Sequence, residues 1–149
     1  MTEPVAFPAL RSCEELLDDG SEWYYRQVHP TFVDEDNNVG VGAFRCSDGE
    51  LSGARSSRQT AQGAYEEYRR DSGEDRTAGT WGLTLAQVVY AKGRVVDDSQ
   101  CPIPPGLSAW PTGHVYLDQR VSDTAVYKQM RDNLARQATK NKRLYPPAD

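Results

Sequence analysis

Two histidines, His29 and His114, are the side chains of this 149-residue chain best suited to passing a proton near neutral pH, where an ordinary imidazole changes charge. Arg26 stands three residues before His29 in the stretch WYYRQVHP, so one short segment offers both an anion-holding guanidinium and an acid or base. In a regular strand the two point to opposite faces, and a twist or bulge near Pro30 is needed to bring them to one side. Arg26, His29 and His114 are therefore the candidate catalytic set, on condition that they converge. Trp23 and Tyr25 alternate with His29 on one face, and Tyr116 follows His114 two residues later, so the same strands present an aromatic binding surface.

Other chemistries fail on spacing. His114 and Asp118 lie four apart, about 13 Å along a strand, too far to share an ion, and no HxH or HExxH run is present, so no metal ligands are assigned. DEDNNVG has the oxygen ligands of a calcium loop at Asp34, Asp36 and Asn38. Val39 and Arg45, however, occupy the places where an EF-hand needs glycine and glutamate, so a hairpin turn is the reading. GxSxG, GxGxxG and P-loop patterns are absent, and VGVGAF supplies only G-x-G, so no cofactor is named. Cys13, Cys46 and Cys101 are odd in number, far apart and without a CxxC, which reads as three reduced thiols in a cytoplasmic protein.

The net charge of −5 is unevenly spread: residues 1–50 hold eleven acids against three bases, while residues 128–143 hold six bases against Asp132 alone. A solvated basic helix face explains the second block, and the overall negative charge argues against nucleic acid as a partner, because phosphate contacts supply most of such affinity. The first residues carry an acid and two prolines, unlike a signal peptide, and no run approaches the ~18–20 apolar residues of a membrane span. A soluble protein with no membrane partner is expected.

The elements that must position these residues are short. SCEE at 12–15 predicts a helix over about 13–18 by its capping-box spacing. Alternation predicts a strand over Trp23–His29, and TFV and VGVGAF flank a polar turn as a hairpin. Ala61, Ala64, Tyr65 and Tyr68 fall on one face of a helix capped by Thr60; TLAQ (84–87) is a second capping box; RVVDD and HVYLD read as strands. Residues 99–113 carry Pro102, Pro104, Pro105 and Pro111 and form an extended loop, and Tyr127, Met130, Leu134 and Ala138 seam a last helix capped by Ser122 or Asp123. The fold class is α+β, a mainly antiparallel sheet with three to four helices packed on it. Residues 1–9 are a flexible lead, 10–139 a single domain, and 140–149 a basic, proline-ended tail whose removal leaves the core intact.

The pattern YRQVHP with AFR is similar to short uncharacterised bacterial proteins, which implies a bacterial source. Over residues 23–70, the order AFR, GELSGARSS and AYEEY, with Glu66 and Glu67, resembles RES-type and other ADP-ribosyltransferase-like domains. That resemblance implies a first-strand Arg or His that helps to hold NAD and a later acid or serine that assists transfer. A strand with aromatics on both faces in so small a chain leaves some of them exposed, so the chain is expected to act first as a binding or accessory module for another protein. The alternative is a nucleotide-directed enzyme using Arg26 with His29 or His114. Convergence of Arg26, His29 and His114 in one pocket favours the enzyme; a flat aromatic patch favours the module.

Overall fold

In the computed structural model, which describes residues 7–147, six strands form one antiparallel sheet. The strands are β1 (Glu15–Leu16), β2 (Trp23–Val28), β3 (Glu50–Arg55), β4 (Gly79–Thr84), β5 (Arg94–Asp97) and β6 (His114–Asp118), in the spatial order β1-β5-β6-β3-β2-β4. Three α-helices join them: α1 (Ala61–Ser72), α2 (Leu85–Tyr90) and α3 (Thr124–Asn141), with single 3-10 turns at Pro30–Phe32, Val41–Phe44 and Glu74–Arg76. The α+β class holds.

Each helix starts where a side chain can satisfy its orphan amides. Thr60 accepts from Gly63 at α1, Asp123 accepts from Ala125 and Val126 at α3, and at α2 Thr84 and Gln87 form the reciprocal capping box. One face of the sheet carries Leu51, Val95, Val115 and Leu117 and packs with Met130 and Leu134 of α3 into the main core. Tyr24 and Trp81 are completely buried in the same cluster. The opposite face carries Tyr25, Gln27, Ser52, His114 and Tyr116, and α1 lies over only part of it.

Several sequence expectations are corrected. Residues 13–18 are not a helix: Leu16 pairs with Val96 and the Leu17 amide donates to Val95, making an edge strand. Glu15, the residue that would close the capping box on Ser12, is in β1 opposite Asp97, and the neighbouring Glu14 carboxylate accepts from the Arg11 amide at 2.8 Å and from the Tyr116 hydroxyl at 2.5 Å. Cys13 and Cys101 form a disulfide with Cα atoms 4.9 Å apart, so the expectation of three reduced thiols holds for Cys46 alone. Eighty-eight residues separate the two cysteines, and no spacing rule links them. The hairpin over 31–44 is reduced to one bridge, Val33 to Val39, because Asp34 turns the chain tightly by accepting from the amides of Asp36 and Asn38.

The segment after Asn141 returns to the sheet edge instead of standing apart as a tail. Leu144 donates its amide to the Thr80 carbonyl at 2.8 Å, and the Thr80 amide returns a 2.7 Å bond to Tyr145, whose ring meets Tyr65 edge-on at 5.3 Å.

Removing residues 142–149 is expected to lower unfolding stability by roughly 1–3 kcal/mol, since two backbone partners of Thr80 and the Tyr65–Tyr145 contact go together; an unchanged urea midpoint would contradict this placement. Replacing Cys13 and Cys101 together by serine is expected to cost about 2–5 kcal/mol, the range for closing a loop of this length. Urea titrations with and without reductant, in which only the parent chain responds to reductant, check it.

Candidate functional site

The sheet face left open by α1 is the floor of a cavity of about 570 Å³, a size suited to a small organic ligand. Tyr25 and Gln27 of β2, Ser52 of β3, and His114 and Tyr116 of β6 face it. Glu67, Tyr68 and Asp71 of α1 make one wall, which accounts for a helix with an apolar stripe but no buried residue. Leu107, Trp110 and the prolines 102, 104 and 111 make the other.

This second wall is held at three points. Cys101 ties its start to Cys13; the Trp110 indole donates to the Cys101 carbonyl at 2.9 Å; and Thr112 bonds Glu67 through its amide (2.9 Å) and hydroxyl (2.7 Å). The proline-rich segment is thus a fixed wall joined across to α1. Trp110 stacks on the His114 ring, centroids 4.6 Å apart and planes 27° apart.

Arg26 enters from an unexpected direction. Alternation puts it with Tyr24 and Val28, yet β2 and β3 pair only at Tyr24–Arg55 and Tyr25–Ala54 and then separate. The Arg26 guanidinium spans the opening, donating from Nη1 to the Ser52 carbonyl (2.8 Å) and from Nε to the Ala43 carbonyl (3.3 Å), and it borders the cavity. Gly53 permits the approach of the strands just before they part, since a Cβ there would lie 2.5 Å from the Tyr25 carbonyl.

Within the floor, His114 is 8% exposed. Its Nδ1 is 2.7 Å from Asp98 Oδ1, and its Nε2 is 3.3 Å from Ser52 Oγ. Asp98 is buried just beyond β5, whereas Ser52 is exposed to the cavity. Tyr116 shows the cavity little but its ring, because its hydroxyl is committed to Glu14; burial, then that carboxylate, keep the phenol protonated well above its ordinary range.

Of the residues singled out in the sequence, Arg26, His114, Tyr25 and Tyr116 border this cavity, and His29 and Trp23 do not. His29 caps the Pro30–Phe32 turn, its Nδ1 accepting from the Thr31 amide at 3.2 Å, and its ring meets Phe32 edge-on. Trp23 covers Gly82 beside Leu144, where a Cβ would come within 2.8 Å of the indole. Ser52, Asp98 and Trp110 were not anticipated. A carboxylate at a strand end was the available hint, since a working histidine needs a partner to orient it.

The cavity is acidic: Asp48, Glu50, Glu67, Asp71 and Asp98 border it against the guanidiniums of Arg11 and Arg26. Burial raises the Glu50 carboxyl. Among the described residues no group of three or more His, Cys, Asp or Glu is arranged to hold a metal ion, and no helix is long and apolar enough to cross a membrane. Comparison with family models, with curated proteins and with solved structures yields no match.

Two clusters brace the surrounding strands. Arg55 grips Glu22 through two bonds (Nε 3.0 Å, Nη2 2.8 Å) and Asp97 through a third (2.8 Å), while Asp118 receives Arg94 (2.9 Å) and Arg120 (3.0 Å). Burial alone would raise these three carboxyls, but the hydrogen bonds they accept outweigh it: from Arg55 and Ser57 at Glu22, from Ser99 and Arg55 at Asp97, and from Arg120 and Arg94 at Asp118. All three therefore sit below the ordinary carboxylate range. A depressed folded-state pKa contributes stability above the unfolded value, about 4, that is lost as pH falls through the folded value. Stability is expected to stay nearly level from pH 7 to about 5 and to fall steeply below about 4, with Glu50 opposing the loss slightly. Urea midpoints across that range test it, and a decline already complete by pH 5 would be inconsistent with these pairs.

Proposed function

We propose that the protein is a group-transfer enzyme acting on a nucleotide, with the cavity as its active site. The observation that carries this reading is the meeting of Arg26 and His114, from β2 and β6, on one concave surface also bordered by Ser52; His29, the third member of the expected set, lies outside it and has no part in the proposal. The resemblance to ADP-ribosyltransferase-like domains implies a first-strand Arg or His and a later acid or serine; in this fold Arg26 is on the second strand, β2, and Ser52 on β3. Arg26 Nη1 donates to the backbone carbonyl of Ser52 at 2.8 Å. The binding-module reading draws less support, since Tyr24 is wholly buried, Trp23 packs on Gly82, and Tyr25 faces a hollow and not a flat patch.

The charges around the cavity fit one kind of nucleotide better than others. Arg26 uses Nε and Nη1 on backbone carbonyls, and its Nη2 makes no hydrogen bond among the described residues, so it can bind a phosphate or ribose oxygen from a fixed position. The carboxylates would repel a polyanion, but they favour a ligand with a cationic ring and a reaction that builds positive charge on the sugar. A pyridinium nucleotide such as NAD combines both needs. Trp110 and Tyr68 offer aromatic surface to a flat base. The Cys13–Cys101 disulfide favours an oxidising compartment over the cytoplasm as the place of action.

Thermal-shift titration with NAD, nicotinamide riboside and AMP tests the reading, because a ligand of the native state raises apparent stability. NAD and nicotinamide riboside are expected to raise Tm, AMP to do so less, and Arg26→Ala to weaken the NAD effect about tenfold or more in apparent affinity. Absence of any shift with all three at millimolar concentration would remove the nucleotide from the proposal.

A further inference from the structure

Asp98, His114 and Ser52 form a continuous chain of hydrogen-bonding atoms from a buried carboxylate to a hydroxyl open to the cavity. At 2.7 Å, the Asp98 carboxylate accepts a hydrogen bond from Nδ1–H of His114, the tautomer in which the Nε2 lone pair faces Ser52 Oγ at 3.3 Å. The same carboxylate holds the ring in the orientation that turns Nε2 toward Ser52.

Each member is held independently. The β3–β6 register sets Ala54 opposite His114 and Ser52 opposite Tyr116, so His114 and Ser52 are diagonal neighbours on one sheet face. Trp110 fixes the plane of the imidazole. The backbone of Ser52 is pinned from below, its carbonyl receiving both Arg26 Nη1 and the Tyr24 hydroxyl. An exposed serine hydroxyl with a preoriented base is an activated nucleophile.

We propose that Ser52 is the nucleophile of this site and takes up the transferred group covalently. This rests on the reading that the cavity is an active site. In the first step Ser52 Oγ bonds to the electrophilic carbon, the anomeric carbon for a pyridinium nucleotide. The carbon–nitrogen bond breaks with its electron pair going to the departing ring, which leaves neutral, and the hydroxyl proton passes to His114 Nε2. In the second step the oxygen of water or an acceptor hydroxyl bonds to that carbon. Ser52 Oγ departs and recovers the proton from His114, and the acceptor's proton goes to solvent. The carboxylates of Glu67 and Asp71 on the facing wall suit a carbon that becomes positive in both steps.

The direct test is reaction of the full chain with diisopropyl fluorophosphate, in which Oγ–P forms, P–F breaks with loss of fluoride, and the proton passes to His114. Intact mass and peptide mapping should find one adduct, on Ser52, absent from Ser52→Ala and from the urea-unfolded chain. His114→Gln should slow labelling by about 10²–10⁴-fold, the usual contribution of a positioned base, and Asp98→Asn should slow it with a changed pH profile, which a merely structural carboxylate would not produce. Ser52→Cys, alkylated by iodoacetamide faster than Cys46, supplies a second readout if the alanine variant folds poorly. No adduct, an adduct elsewhere, or a rate indifferent to Asp98→Asn overturns the proposal. Nucleotide stabilisation without labelling defeats the nucleophile alone; labelling without nucleotide stabilisation defeats the nucleotide alone.

Discussion

The register between β3 and β6 is the constraint on which the site depends. Side chains alternate along a strand, so sliding β6 by one residue would exchange His114 and Tyr116 for Val115 and Leu117 on the cavity side. That slip would put an imidazole into an apolar core and two aliphatic side chains into the hollow. The burial of Leu51, Val115 and Leu117 against α3 therefore holds the geometry of the cavity floor in place although none of these residues borders it. Stability and site share one cause, the hydrophobic face opposite.

The hollow itself arises from incomplete coverage. α1 presents an apolar stripe to the sheet without being buried, because a proline-rich wall stands away from it and is tied back at Cys101 and across at Thr112. Prolines suit this wall, since an extended segment with few accessible conformations loses little on being fixed. Arg26 completes the enclosure where the strands part: it replaces missing ladder bonds with side-chain donors to two carbonyls, so one residue serves the backbone and presents charge to the cavity.

Much of the framework was legible from local chemistry. The alternation of WYYRQV, the threonine caps at 60 and 84 and the seam of Met130 and Leu134 each state an element within a few residues, and the elements follow. What escaped was non-local. SCEE has helix-start spacing, but Glu14 is recruited by Arg11 and by Tyr116, a hundred residues away, and the adjoining residues pair with β5. His114 was identifiable by type; its partners were not, because a serine within a strand and an aspartate after one belong to no short motif and meet only through strand pairing. His29 shows the converse: its nearest neighbour in sequence that can bond it, Thr31, claims it for a turn.

The short edge strand and the returning C-terminal segment together have a bearing on self-association. A sheet with a bare border is a template onto which another chain can add a strand. At one border, among the described residues, only Glu15 and Leu16 are in strand conformation, and at the other the polar backbone of Thr80 is already answered by Leu144 and Tyr145. Lateral growth of the sheet is thus disfavoured on both sides, and a visiting molecule meets the protein through side chains and not by lengthening its ladder.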